Sequence, residues 1–394
     1  METVPRYGYR FIAPVSFSGD MEKAAHVYEI ELQDYPGTYR ALNDLGAIDA
    51  SLGRTKEAVD IFREVVRLDP LGATTYGNLA MSLMALDRMD EAEAVLAEGK
   101  RRNLQTDYLL QVNDWRAFLL GDREGMERFL AQSRGIPGAE SALLATEANT
   151  EAYAGHFQGA HQLSKAATEI MLRDGDKESA SACWAEAAVR EAEAGASNLA
   201  RESLAHALHL SQGTDVQTMA ALVRARLRDE KQARSLTQNL DAEHPWNTIL
   251  QGYWLPTIRA GMDLQRGEWS KTVEDLNPAA SLELAIPSAL STASLYPAYV
   301  RGQAYLAAGD GKNAAAEFQK LIDHPGLTLN SPLGPLARLG RARALAQALP
   351  RTSDRAGDAA KTKAAYQDFF RLWQGADANL PVLRRAQQEY ARLH

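Results

Sequence analysis

Gly19, Gly53, Asp87, Gly121 and Gly155 stand 34 residues apart in a single register. That interval is the length of one helix–turn–helix unit in a stacked repeat. Gly and Asp suit the short turn between two amphipathic helices because they tolerate backbone geometries that β-branched residues resist. Each unit of such a chain buries its apolar face against its neighbours, so the fold grows by addition rather than by enlarging one core. The 394 residues therefore need not divide into conventional domains. The expected fold class is all-α, a superhelical solenoid of about eight to nine helical hairpins.

Charge narrows the range of partners. Formal net charge is −8, with acidic and basic residues interspersed, whereas phosphate binding needs a basic face. DNA binding by this chain alone is therefore not expected. The single cysteine, Cys183, rules out an internal disulfide framework and fits a reducing compartment. No apolar run approaches the ~20 residues needed to cross a bilayer, so no membrane partner is expected. Met1–Arg6 lacks the basic segment and apolar stretch of a secretory signal, and the expected location is cytoplasmic.

The repeat can be followed unit by unit. From Tyr39 the chain carries Leu45-Gly46, Gly53, Ala58, Phe62 and Pro70. Small residues at Gly46 and Ala58 let the two helices approach, and Phe62 fills the space beside them. The next unit has Leu79-Ala80, Ala92 and Leu96, and two weaker units turn at Gly121 and Gly155. Trp184, Gly195, Ala200 and Leu204 mark a fifth unit; Ala221, Ala233 and Pro245 mark a sixth; Gly267 and Trp269 mark a seventh. Gly302, Tyr305, Gly309, Ala314 and Phe318 make the clearest late unit. In the ninth, Leu339-Gly340 is followed by Ala365 and Phe369 thirteen positions late (365 against 352), so Leu349–Asp358 reads as an inserted exposed loop. Asn277–Leu295 reads as a long connection with one short helix.

These residues resemble the tetratricopeptide repeat over roughly residues 17–393, most specifically in the units from Tyr39, Ala73 and Leu295. The resemblance implies a right-handed solenoid with a half repeat at 17–36, repeats from about 39, 73, 107, 141, 181, 214, 253, 295 and 333, and a capping helix at 381–393. Arg301 stands where a Leu is usual in the family. The family's concave groove holds proteins or peptides. Its groove positions map here onto Arg40, Asn43, Met81, Met84, Tyr108, Trp115, Trp254, Thr257, Tyr296, Tyr299 and Gln303. Asn43, Ala47 and Tyr108 do not reproduce the carboxylate clamp of chaperone-binding members.

Residues 1–16 differ from the rest. Thr3-Val4-Pro5 followed by Gly8-Tyr9-Arg10-Phe11 gives two short β-prone runs and reads as a hairpin over residues 2–12. It resembles the terminal wing of an OmpR/PhoB-type winged helix-turn-helix domain, without that domain's recognition helix. Leu250–Arg259 and Leu295–Phe318 resemble the repeat arrays that follow winged-helix or Ser/Thr kinase domains in bacterial regulators. That resemblance implies a setting in signalling or transcriptional control. No kinase signature occurs in the sequence.

No residues are assigned a catalytic, cofactor-binding or metal-binding role. His156 with His161, and His206 with His209, lack the three or four ligands of a zinc site. Gly309-Asp310-Gly311-Lys312-Asn313 lacks the spacing of a phosphate loop. Asp90 and Glu91 suit an exposed helix start. The expected activity is protein binding without catalysis. The helix from Gly19 to Tyr35 has an apolar stripe of Ala24, Ala25, Tyr28, Ile30 and Leu32, one flank of which has no preceding helix to cover it. This end is expected to fray or to self-associate.

Overall fold

The computed structural model describes residues 19–287, 294–351 and 354–393. The hairpin expected over residues 2–12 lies outside them. Among the described residues the ordered elements are all helical. A lone helix, α1 (Met21–Asp34), precedes nine helical hairpins. They are α2 (Tyr39–Ser51) with α3 (Thr55–Leu68), α4 (Ala73–Ala85) with α5 (Met89–Arg101), α6 (Asp107–Leu120) with α7 (Arg123–Ser133), and α8 (Ala139–Tyr153) with α9 (Phe157–Arg173). Then come α10 (Lys177–Glu193) with α11 (Ser197–Leu210), α12 (Thr214–Arg226) with α13 (Glu230–Glu243), and α14 (Leu255–Arg266) with α15 (Trp269–Asp275). After α16 (Tyr296–Ala307) and α17 (Gly311–Asp323) a single turn, α18 (Pro325–Thr328), leads to α19 (Leu333–Ala348), α20 (Arg355–Leu372) and the terminal α21 (Pro381–Ala391).

The 34-residue register has a direct backbone cause. Gly53, Asp87, Gly121 and Gly155 all adopt positive φ, the conformation that ends a helix and reverses the chain. At Gly121 the closure is complete: its amide donates to Phe118 O, and the Asp122 amide donates to Ala117 O at 2.8 Å. The Asp122 carboxylate then caps α7 through the Gly125 amide at 2.8 Å. Asp176, Asp229 and Asp310 cap α10, α13 and α17 in the same way. Two residues thus finish one helix and start the next.

Packing within a hairpin follows from small residues facing an aromatic ring. A Cβ added at Gly46 would stand 2.9 Å from the Phe62 ring, and one at Gly302 would stand 3.0 Å from Phe318. The glycine of each of these two units is therefore the socket for the ring on the second helix.

Beyond neighbour-to-neighbour packing, the later units settle on the rim formed by the turns of the earlier ones. Gly53 abuts the backbone of Leu284 and Ala285, and Gly195 abuts Pro381. Gly326 in α18 lies against the Met84 carbonyl so closely that a Cβ has no room. Asn330, fully buried, donates to Thr146 O at 2.8 Å and to Thr150 Oγ1 at 2.9 Å. The loop before α14 reaches α1, where Thr248 Oγ1 accepts from the Met21 amide at 2.9 Å.

Two local expectations change, and one helix opens on an unusual turn. Asp354 caps α20, so Arg355–Asp358 are helical and the exposed insertion is shorter than the Leu349–Asp358 run. A π-helical turn at Leu250–Trp254 leads into α14. In α1, Met21 and Ala25 are buried and Ala24, Tyr28 and Leu32 pack beside them, but Ile30 points the opposite way. At 100° per residue Ile30 shares a face with Val27 instead.

Candidate functional site

The first helices of successive hairpins pack side by side, and the mapped groove residues lie along them. Met81, Met84, Trp115, Trp254, Thr257, Tyr296 and Tyr299 are buried; Asn43, Tyr108 and Gln303 are half-buried; Arg40 is exposed. Neighbouring first helices cover the buried group, and α18 lies against α4 beside Met84. The structure joins several of them. Tyr108 donates to Asn78 Oδ1 at 3.1 Å, and Asn43 Oδ1 accepts from Thr75 Oγ1 at 3.3 Å, a polar ladder across α2, α4 and α6. The Trp254 and Tyr296 rings lie 6.3 Å apart, and Tyr299 and Phe318 continue the aromatic row.

Two buried polar groupings were not legible in the sequence. In the first, Glu193 at the end of α10 receives Arg226 Nε at 2.6 Å, Arg226 Nη2 at 2.7 Å, and the hydroxyl of Tyr296. Arg226 Nη2 also donates to Gln303 at 2.8 Å, and Tyr253 Oη accepts from the Tyr296 amide. Burial opposes the charge on Arg226, but the Glu193 carboxylate more than offsets that and holds the guanidinium above its ordinary value.

The second brings Ser203, His161 and Glu191 together between α9, α10 and α11. Its geometry is not that of a nucleophilic triad, in which histidine takes the serine proton on one ring nitrogen and is held by the acid through the other. Here Glu191 Oε1 and Ser203 Oγ both approach His161 Nδ1, at 2.9 and 3.4 Å, and Ser203 donates directly to Glu191 Oε2 at 2.7 Å. The arrangement is a buried hydrogen-bonded knot. Burial pushes the Cys183 thiol up to about 12, which leaves it protonated and unreactive at neutral pH. Among the described residues no three His, Cys, Asp or Glu side chains converge as metal ligands.

Asp114, on α6, is buried, and its Oδ2 has no hydrogen-bond partner among the described residues. Burial, reinforced by the nearby Glu147 carboxylate, pushes its pKa from 3.8 to about 8. A folded value above the unfolded one means stability that is complete below pH 3.8 and is lost as pH rises towards 8. Asp114→Asn is therefore expected to raise stability at pH 8 by about 1–3 kcal/mol and to flatten much of the dependence between pH 5 and 8. Urea titrations across that range provide the check.

The stack of first helices is open at its C-terminal end. There the ends of α12, α14 and α16 face α19, α20 and α21 around a cavity of about 530 Å³. Its lining includes Arg226, Leu264, Gln265, Gln303, Leu306, Arg343, Ala346, Tyr366, Arg385, Glu389 and Arg392. A second hollow continues along α21 past Arg384 and Gln388 to Pro381. Glu389 is the acidic residue of the lining; it receives Arg343 Nε at 2.7 Å, Arg385 Nε at 3.0 Å and the Tyr366 hydroxyl at 3.2 Å. Of the mapped groove positions, Gln303 reaches this opening.

The architecture defines the class: an all-helical repeat solenoid of the tetratricopeptide type. Tetratricopeptide repeat family models match residues 17–73 and 299–369, and a second such model matches residues 49–111. Solved structures similar to the chain include yeast Tom70, at 12% identity and TM-score 0.40, over 94% of this chain and 92% of that one. A human IFIT1 dimer with PPP-AAAA aligns at 14% identity and TM-score 0.42, over 98% and 88%. A tetratricopeptide repeat protein from Parabacteroides merdae aligns at 12% identity and TM-score 0.34, over 78% and 98%. No curated protein matches. No described helix is long and apolar enough to cross a membrane.

Proposed function

We propose that this chain is a non-enzymatic protein–protein interaction scaffold, the partner-binding part of a bacterial signalling or transcriptional regulator. The observation that carries the reading is the stack of first helices ending in an open, side-chain-lined cleft, the kind of surface that repeat solenoids present to partners. The winged-helix resemblance of Glu2–Ile12 and the regulator-like arrays supply the regulatory setting, and the single cysteine fits the cytoplasmic location. A truncated DNA-binding regulator and a region derived from a Ser/Thr kinase are the competing settings, and the DNA encoding the sequence upstream of Met1 discriminates between them. The test is cross-linking of the intact chain to proteins of its source cell, followed by mass spectrometry. One partner cross-linked along the first helices, from Arg40 and Asn43 to Gln303, or around the cleft supports the reading. Substrate turnover by the purified chain, abolished by one His or Asp substitution, overturns it.

Self-association rests on a separate observation. Lys23, Val27, Ile30 and Asp34 share the face of α1 opposite Met21 and Ala25, with Val27 61% and Ile30 48% exposed. Trp246, 71% exposed, extends the patch beneath Lys23. Two copies of α1 packed antiparallel about a two-fold axis between Val27 and Ile30 bring Val27 onto Ile30 of the second copy. The same operation places Lys23 beside Asp34 of that copy, an isologous and charge-complementary pairing. Sedimentation is expected to show a dimer that Val27→Glu with Ile30→Glu converts to monomer. Lys23→Asp alone should weaken it, and adding Asp34→Lys should restore it; a monomer at every concentration sinks the idea.

A further inference from the structure

The cleft bounded by α16, α19 and α21 has a charge opposite to that of the chain around it. Its two hollows, which share Arg385, Glu389 and Arg392, are lined by Arg226, Arg343, Arg384, Arg385 and Arg392 against Glu389, in a chain of net charge −8. The guanidinium groups are not all used. Arg226, whose side chain is almost entirely buried, has no hydrogen-bond partner for Nη1, and Arg343 has none for Nη2, among the described residues. Both atoms are shielded from solvent, and Glu193 and Glu389 already pair with these two side chains; with Glu389 shared between Arg343 and Arg385, it is the exposed Arg385 and Arg392 that present uncompensated positive charge to an incoming anion. Between the arginines, Leu264, Leu306 and Ala346 provide an apolar floor.

We propose that this cleft binds a short acidic segment of a partner protein, its carboxylate side chains pairing with Arg343, Arg385 and Arg392 and its apolar side chains resting on Leu264 and Leu306. The inference deepens the scaffold reading and rests on it. Planar guanidinium groups match carboxylates in a bidentate manner. A cavity of about 530 Å³ lies in the range that ordinary ligands fill, and the arginine face of α21 from Pro381 to Arg392 runs about 16 Å, the span of roughly five extended residues. Mixed lining favours a peptide that combines acidic and apolar side chains. A nucleic acid strand would carry its charge beyond the cleft onto a surface of net negative charge, and Tyr366 is the one aromatic residue in the lining on which a base could stack.

The test is fluorescence polarisation with a labelled, end-blocked peptide, Glu-Leu-Glu-Glu-Leu-Glu, on the full chain. Its Gln-Leu-Gln-Gln-Leu-Gln counterpart and a six-nucleotide single-stranded DNA serve as comparisons. The acidic peptide is expected to bind at least 10-fold more tightly than either, with affinity falling as salt rises. Arg385→Glu with Arg392→Glu, both solvent-facing, should weaken binding at least 10-fold while the thermal midpoint is kept. Arg371→Glu, paired with Asp368 on α20 away from the cleft, should leave it unchanged. Arg392→Gln alone gives a milder version if the double variant unfolds. Absence of acidic-peptide binding at millimolar concentration, equal binding by the double variant, or tighter binding of the oligonucleotide each overturns the proposal. A partner that cross-links elsewhere along the first helices would leave the scaffold reading standing without it.

Discussion

Trp373→Ala is expected to lower the stability of the chain by about 3–5 kcal/mol, the range for truncating a large buried aromatic side chain. The ring is buried against Phe369, with centroids 4.8 Å apart, and against Phe157 at 6.0 Å. Its Nε1 donates to the Tyr153 carbonyl at 3.1 Å, across 220 residues of sequence. Two backbone contacts tie the same junction: the Asp377 amide donates to Gly155 O at 3.1 Å, and the Gln158 amide donates to Asp377 Oδ2 at 2.9 Å. The loss should therefore not stay local. Hydrogen exchange is expected to accelerate at residues 153–160 as well as at 369–377. Deprotection confined to α20 would mean that the early and late units behave independently, as in an open solenoid whose stability is a sum over adjacent units.

That junction also shows which parts of the molecule were legible from the residues. The turns at Gly53, Asp87, Gly121 and Gly155 could be read because a left-handed residue is a local demand, met or failed within a few positions. Ala58 with Phe62, and Ala314 with Phe318, could be read because one hairpin contains both partners. The contact of Asn330 with Thr146 could not, since it depends on the pitch that accumulates over five units from small rotations between them. For the same reason the groove positions of Met81 and Met84 gave no hint that α18 would settle against α4. The arginine cleft drew residues from six helices, among which only Gln303 had a groove register to mark it. Ile30 was placed on the wrong face of α1 because composition, rather than the 100° rotation, grouped it with Tyr28 and Leu32.

Glu193→Ala is expected to destabilise the chain by about 3–5 kcal/mol, because it strands the Arg226 guanidinium in a site where both side chains are shielded from water. The penalty comes from the uncompensated charge more than from the lost contact. Replacing both members, Glu193→Leu with Arg226→Leu, is accordingly expected to recover most of the loss, since apolar side chains of similar volume need no counterion there. Urea midpoints of the single and double variants provide the comparison; a single variant costing less than about 1 kcal/mol would falsify the account. The native pair also sets an alkaline limit. Burial, and then the Glu193 carboxylate, raise the Tyr296 hydroxyl well above 10.0, so its contribution is complete below pH 10.0 and is lost as pH rises beyond that. Because the acidic peptide pairs with Arg343, Arg385 and Arg392 rather than with the shielded Arg226–Glu193 pair, the double variant should fold and keep its affinity for the peptide. Stability and binding would then separate at one residue, which distinguishes an arginine kept for packing from one kept for a partner.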